Sequence, residues 1–467
     1  AAMNITGSEL SGAESVTLTQ NKGALTGGVA LSKVNTLTVS GAGTDSAITV
    51  GTLGSSAQDY GITVNASGLK DGLTFGAAAT KGDVNLNLSD VTGAIDGDTI
   101  NAANVTVHAA KLGTTTLGDI TATGDVVIDA LGILGGGKLA DTADDALTVG
   151  DISATGKAIT VQFDGGSDVV IGTLTGKTVT VDASNYLGAI LNTGTSANAD
   201  AVIGDITATT ATIKGSEIGA NTFSITTDNL TYTGGLAADT LTIADAATTV
   251  GLKLSIDTGA GDDSVTITAA TGKMTGTIAN AETVSISAAA GGLDMSGLTI
   301  TGNTTGTITG STTADVLKGG DGNDTITAGG GLDMLTGGAG SDIFAIKNTA
   351  GNVNVFGKAN MATITDFNAG GTLDKISLVT KGSAATSIST TVVSEADTFD
   401  AALDKAAAGN GGIDGILTKF EWHGDTYVVY DCTADSAFTE STDVVVKLTG
   451  TGIDLTSGVF SDHFTIA

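Results

Sequence analysis

The sequence predicts an all-β chain: an irregular β-solenoid or stacked β-sheets, then a short parallel β-roll, then a mostly β C-terminal region with one helix. Three observations carry this. Short runs that alternate β-branched residues with Thr or Asn recur along residues 1–309, and such alternation fits strands with one buried face. Gly, Asn and Asp interrupt these runs roughly every ten residues, the spacing of turn signals in sandwiches and solenoids. Residues 310–345 divide into four nine-residue units.

The first region, 1–309, rests on runs such as Val16-Thr17-Leu18-Thr19, Thr36-Leu37-Thr38-Val39, Asn104-Val105-Thr106-Val107 and Thr178-Val179-Thr180-Val181. Three near copies are visible: Gly118-Asp119-Ile120-Thr121-Ala122-Thr123, Gly150-Asp151-Ile152-Ser153-Ala154-Thr155 and Gly204-Asp205-Ile206-Thr207-Ala208-Thr209. Their unequal spacings, 32 and then 54 residues, predict an irregular repeat. Aromatic residues are only 4% of the 467, so the core has to be built from Val, Ile, Leu and Ala.

Charge narrows the function. All 19 basic residues are Lys, against 43 Asp and 7 Glu, for a formal charge of −31. A chain without a basic face cannot neutralise phosphates, which excludes nucleic-acid partners, and it suits an anionic lipid surface poorly. One cysteine, Cys432, permits no internal disulfide. No run of 18 apolar residues predicts a membrane span. The opening Ala1-Ala2-Met3-Asn4 has no charged and then apolar leader, so no N-terminal secretory signal is expected. The preference for Asp over Glu points to turns, where a short carboxylate reaches nearby backbone and where calcium loops are built.

The nine-residue units carry the chemistry. Gly310–Lys318 is degenerate at its start and ends Asp315-Val316-Leu317-Lys318. Gly319–Thr327 reads Gly-Gly-Asp-Gly-Asn-Asp-Thr-Ile-Thr, Ala328–Thr336 reads Ala-Gly-Gly-Gly-Leu-Asp-Met-Leu-Thr, and Gly337–Ala345 reads Gly-Gly-Ala-Gly-Ser-Asp-Ile-Phe-Ala. In G-G-x-G-x-D-x-U-x, six residues turn, the Asp enters the turn, and the apolar eighth residue fills the core of a calcium-binding parallel β-roll. Asp315, Asp324, Asp333 and Asp342 keep one nine-residue register, and Leu317, Ile326, Leu335 and Phe344 keep another. The expected Ca2+ residues are these four Asp with Gly319, Asp321, Gly329 and Gly337. Degenerate copies upstream add Asp168, Asp239 and Asp263, with weaker candidates at Asp45, Asp98 and Asp145. Two units make one coil, so a four-unit roll has to lean on its neighbours.

Beyond the roll, Ile364-Thr365-Asp366-Phe367 and Asp374-Lys375-Ile376-Ser377-Leu378 read as strands that close it. A helix is expected over 394–408, with Ser394 as N-cap, Gly409 after its end, and Phe399, Ala402, Leu403 and Ala406 as its apolar stripe. Residues 419–431 read as a hairpin, with Trp422 and Tyr427 in its core. The expected domains are 1–309, a roll at 310–346, and a C-terminal capping region at 347–467.

These nonapeptides resemble the RTX proteins, calcium-binding proteins exported by bacterial type I secretion. The segment from Phe420-x-Trp422-x-Gly424-Asp425-Thr426-Tyr427-Val428-Val429 through Asp443-Val444-Val445 and Lys447-Leu448-Thr449-Gly450 resembles the C-terminal region of RTX-type S-layer proteins. The resemblance implies an uncleaved secretion signal in the last several tens of residues, an extracellular position at the cell surface, and self-assembly into a two-dimensional lattice. It also implies three partners: further copies of the chain, the type I secretion machinery, and lipopolysaccharide or another surface glycan. The alternative within the same resemblance is an adhesin or extracellular filament subunit that binds a host surface or glycans.

An enzyme is not expected. The three histidines, His108, His423 and His463, form no His-Glu-x-x-His, and there is no Gly-x-Ser-x-Gly. Cys432, beside Asp431, has no base partner in the sequence and reads as incidental.

Overall fold

The computed structural model describes residues 3–4, 14–20, 25–26, 30–41, 48–70, 72–110, 113–132, 146–166, 168–193, 200–246, 251–348, 358–368, 373–378, 387–409, 416–431, 437–440 and 442–455. The candidates Asp45, Asp145, Cys432 and His463 lie outside these residues. By backbone proximity the chain forms two compact units, 1–242 with 258–261, and 243–257 with 262–467.

The first unit is a solenoid of parallel strands. Each coil supplies three, as in Ile95–Gly97, Ile100–Ala102 and Val105–His108, each paired in parallel with its counterpart in the next coil. The β-branched alternation works as expected: inward residues such as Ile100, Val105, Val107, Ile120, Val126 and Ile128 are buried, while Asn101, Thr106 and Thr121 lie outward. The stacked-sheet alternative is thereby resolved in favour of the solenoid.

The near copies occupy equivalent positions. Ile120 pairs with Ile152, Ile152 with Leu174, and Leu174 with Ile206. The 54-residue interval therefore spans two coils, with Leu174 at the intermediate level. Its flanking sequence, Gly172-Thr173, lacks the Asp that makes the other copies visible. That Asp has a structural use: Asp119 Oδ1 accepts the Asp151 N–H at 3.0 Å, and Asp151 Oδ1 accepts the Thr173 N–H at 2.7 Å. Each carboxylate thus satisfies an amide at the corner of the following coil.

In the second unit the coil shortens. Ile308, Ile326 and Phe344 pair in sequence, 18 residues apart, as do Leu317 and Leu335. Two nonapeptides make one coil. The roll is not isolated: Thr305–Thr309 pairs with Asn323–Gly329 on one side. On the other, Phe344 pairs with Ile376 and Leu335 with Ile364. The strands Ala362–Ile364 and Lys375–Leu378 close it as expected.

The C-terminal hairpin pairs Trp422 with Asp425 across His423-Gly424, whose φ values of 49° and 85° are those of a primed two-residue turn. Tyr427 and Phe420 join Ala402, Leu403, Ala406, Val429 and Val445 in one apolar cluster, and Trp422 stacks on Phe399 at 5.1 Å.

The helix is shorter than expected, Phe399–Gly409. Ser394 caps a separate turn, where its Oγ accepts the Ala396 N–H at 3.2 Å. Thr398 caps the helix: its Oγ1 accepts the Ala401 N–H at 3.2 Å. Gly409 is the last helical residue, not the first beyond it. Thr398→Ala is expected to cost the helix about 1 kcal/mol and to speed amide exchange over 401–405 more than Ser394→Ala does. Equal effects would return the cap to Ser394.

Candidate metal centre

The four nonapeptide aspartates are each 1% exposed. Burying four carboxylates is costly unless each is hydrogen-bonded or paired with a cation. The turns supply part of this from backbone. The Asp315 N–H donates to Asp333 Oδ1 at 3.0 Å, and the Asp324 N–H to Asp342 Oδ1 at 2.9 Å. Within one turn, Asp315 Oδ2 takes the Ser311 N–H and Asp324 Oδ2 the Gly320 N–H, both at 2.6 Å. The aspartates thus form two ladders, Asp315 with Asp333 and Asp324 with Asp342.

Glycine is required where these carboxylates sit. A Cβ at Gly337 would overlap Asp342 Oδ2, and Gly319 faces Asp324 Oδ2 in the same way. Gly329 has φ of +92°, open to glycine, and a Cβ there would overlap the Ser311 carbonyl oxygen.

Negative charge is not fully compensated. Asp333 Oδ2 is buried with no hydrogen-bond partner. Burial, with the nearby Asp315, pushes the Asp333 carboxyl up to about 7. Burial, with Asp324, Asp374 and Asp366 around it, does the same to Asp342. Burial also raises Asp315, Asp324 and Asp374 above the ordinary carboxylate range. An orphaned buried carboxylate oxygen among like charges fits a hard cation with oxygen ligands. Among the described residues no three His, Cys, Asp or Glu side chains converge as a metal cluster, so a cation held at these carboxylates would need backbone carbonyls to complete its shell.

Sequence reading missed three contributors. Asp374, 3% exposed, extends the second ladder: its Oδ1 accepts the Asp342 N–H at 3.0 Å and its Oδ2 the Asn368 N–H at 2.6 Å. The signal was present, because Asp374-x-Ile376 keeps the sixth and eighth positions of the unit without its glycines. Asp366 holds the Gly337 and Gly338 N–H groups, one on each oxygen, at 2.9 Å. Asn303 stands below Asp324: its Nδ2 donates to Asp324 Oδ1 at 2.9 Å, while its Oδ1 accepts the Asp321 N–H at 2.7 Å.

The other candidates are placed differently. Asp321 is exposed, and its Oδ2 accepts the Gly302 N–H at 2.9 Å. Asp263 is 1% exposed, and its N–H donates to Glu282 Oε2 at 2.7 Å. Asp168 opens the strand Asp168–Ile171 and is half-buried. Asp98 is exposed and accepts the Thr99 N–H at 2.7 Å. Asp239 is fully buried and lies far upstream of the roll, in the first unit.

Residues 309–344 match the family model of the RTX calcium-binding nonapeptide repeat, in four copies. This segment is an RTX array. RTX nonapeptide repeats bind Ca2+, and proteins that carry them are typically secreted. No curated protein matches the chain. No helix among the described residues is long and apolar enough to cross a membrane.

Proposed function

We propose that the protein is a structural subunit of a bacterial surface layer, exported by type I secretion and assembled on the cell surface in a calcium-dependent way. The observation that carries this reading is the charge. At −31, copies of the chain repel one another. The RTX array adds four buried carboxylates that a cation would neutralise, and the exposed corners of the first unit carry Asp98, Asp119 and Asp151 on successive coils. Divalent ions reverse both terms at once. They rigidify the roll, and they bridge acidic surfaces of neighbouring copies.

Export fits the same physics. At low cytosolic calcium the roll lacks its counter-charge and stays open. Binding outside the cell then adds its free energy to folding. Lipopolysaccharide or another surface glycan is the proposed anchor.

Electron microscopy of the purified chain in millimolar calcium and in a chelator tests this. Ordered sheets that dissolve on chelation are expected. Folded monomers that stay dispersed in calcium would overturn self-assembly of this chain and favour an adhesin or filament subunit.

A further inference from the structure

We propose that the turn Gly234–Asp239 is a nonapeptide-type turn closed by protein side chains in place of a cation, so that this part of the solenoid holds its fold without calcium. The inference does not depend on the surface-layer reading.

The likeness to the RTX turns is geometric. Gly234-Gly235 begins the segment, Asp239 stands at its sixth position and Leu241 at its eighth. A Cβ at Gly234 would overlap Asp239 Oδ2, as one at Gly337 would overlap Asp342 Oδ2. The Asn221 N–H donates to Asp239 Oδ1 at 2.9 Å from 18 residues earlier, which is the Asp324-to-Asp342 bond with the same spacing and length. Residues 234–242 nevertheless lie outside the RTX match.

A side-chain amide on one oxygen is shared with Asp324, which takes the Asn303 Nδ2; the difference lies in a tyrosine hydroxyl on the other. The Tyr232 hydroxyl donates to Asp239 Oδ2 at 2.8 Å, and the Asn221 side-chain Nδ2 donates to Oδ1 at 2.8 Å. Both residues are buried, at 1% and 0% exposure. Neither donor is free to turn away. Asn221 Oδ1 accepts the Ser216 N–H at 2.7 Å and its Nδ2 also donates to the Ser216 carbonyl at 3.1 Å, which fixes the amide. The Tyr232 ring packs edge-on against Phe223 at 6.1 Å. Donor hydrogens are therefore aimed at both oxygens of Asp239. Asp333, by contrast, keeps an oxygen with no donor. A fully satisfied buried network specifies its own geometry. The calcium expected at Asp239 from sequence is thus replaced by a hydroxyl and an amide.

Hydrogen exchange on the full chain, in chelator and in millimolar calcium, tests this. Amides of 220–242 are expected to be equally protected in both, while those of 311–345 gain protection only in calcium. Tyr232→Phe is expected to lower protection over 230–241 by roughly fivefold or more, the value of a buried hydrogen bond, and by the same factor in both conditions. Protection of 220–242 that needs calcium would overturn the proposal. So would the loss of one bound calcium in Asp239→Asn, counted by atomic absorption. If that variant does not fold, exchange of the unaltered chain decides.

Discussion

Asp342→Asn is expected to stabilise the RTX array in chelator and to destabilise it in calcium. The amide keeps an oxygen to accept the Asp324 N–H, which now reaches Asp342 Oδ1 at 2.9 Å, so the ladder survives. What disappears is a buried negative charge beside Asp324, Asp374 and Asp366. In chelator at pH 8 that charge is a liability. One unit of raised pKa corresponds to about 1.4 kcal/mol, so relief of even part of the burial penalty on Asp342 gives about 1 kcal/mol or more. In calcium the sign changes, because the carboxylate is then a ligand. If its loss weakens calcium affinity about a hundredfold, the array loses about 2.7 kcal/mol of ligand-linked stability. The measurement is the opening free energy of amides 320–345 by hydrogen exchange at fixed pH, with and without calcium. A variant whose stability changes equally in both conditions would show that the Asp342 carboxylate is not a calcium ligand. Asp333→Asn is expected to show the same reversal, with a larger gain in chelator, because Asp333 Oδ2 has no donor to lose.

Much of this arrangement is legible in the sequence, and the reason is local. In the RTX array each turn needs glycine where a Cβ would strike a carboxylate, and an apolar residue every nine positions to fill a narrow core. Gly319, Gly337, Ile326 and Phe344 therefore announce the coil without reference to distant residues. The solenoid of the first unit is less explicit. Its corners tolerate either Asp151 or Thr173 at equivalent levels, and the interval between paired residues is 22 from Ile152 to Leu174 but 32 from Leu174 to Ile206, so Leu174 is invisible as a repeat although it pairs with both. The helix cap was misplaced because Ser394 and Thr398 are both good caps, and only the path of the chain assigns Thr398 to the helix. Asp374 and Asn303 act across coils, 32 and 21 residues from the aspartates they meet, and Tyr232 acts from seven residues before Asp239; each was hidden by the loss of a glycine or by being a side chain outside the motif.

Calcium binding is expected to release protons near neutral pH and to reverse the pH dependence of the array's stability. Burial and neighbouring carboxylates raise Asp333 and Asp342 to about 7 in the folded chain, from 3.8 when unfolded. Between those values the metal-free folded state holds more protons than the unfolded state. Its stability is therefore fully present below about pH 4, falls as pH rises toward 7, and levels off above that. With calcium the carboxylates have to be ionised to serve as ligands, so protons compete with the ion. Stability then rises with pH over the same window. Titration calorimetry at pH 6 in buffers of different ionisation enthalpy reads this as release of about one proton from each of Asp333 and Asp342, fading above pH 8. Binding without proton release at pH 6 would mean that these carboxylates are ionised before calcium arrives, either in an open array, where they titrate near 3.8, or in a closed one whose carboxyls are not raised. Proton release in the expected amount would mean that at pH 6 protons stand in for the cation on these aspartates, and that above pH 7 the metal-free roll is left with neither.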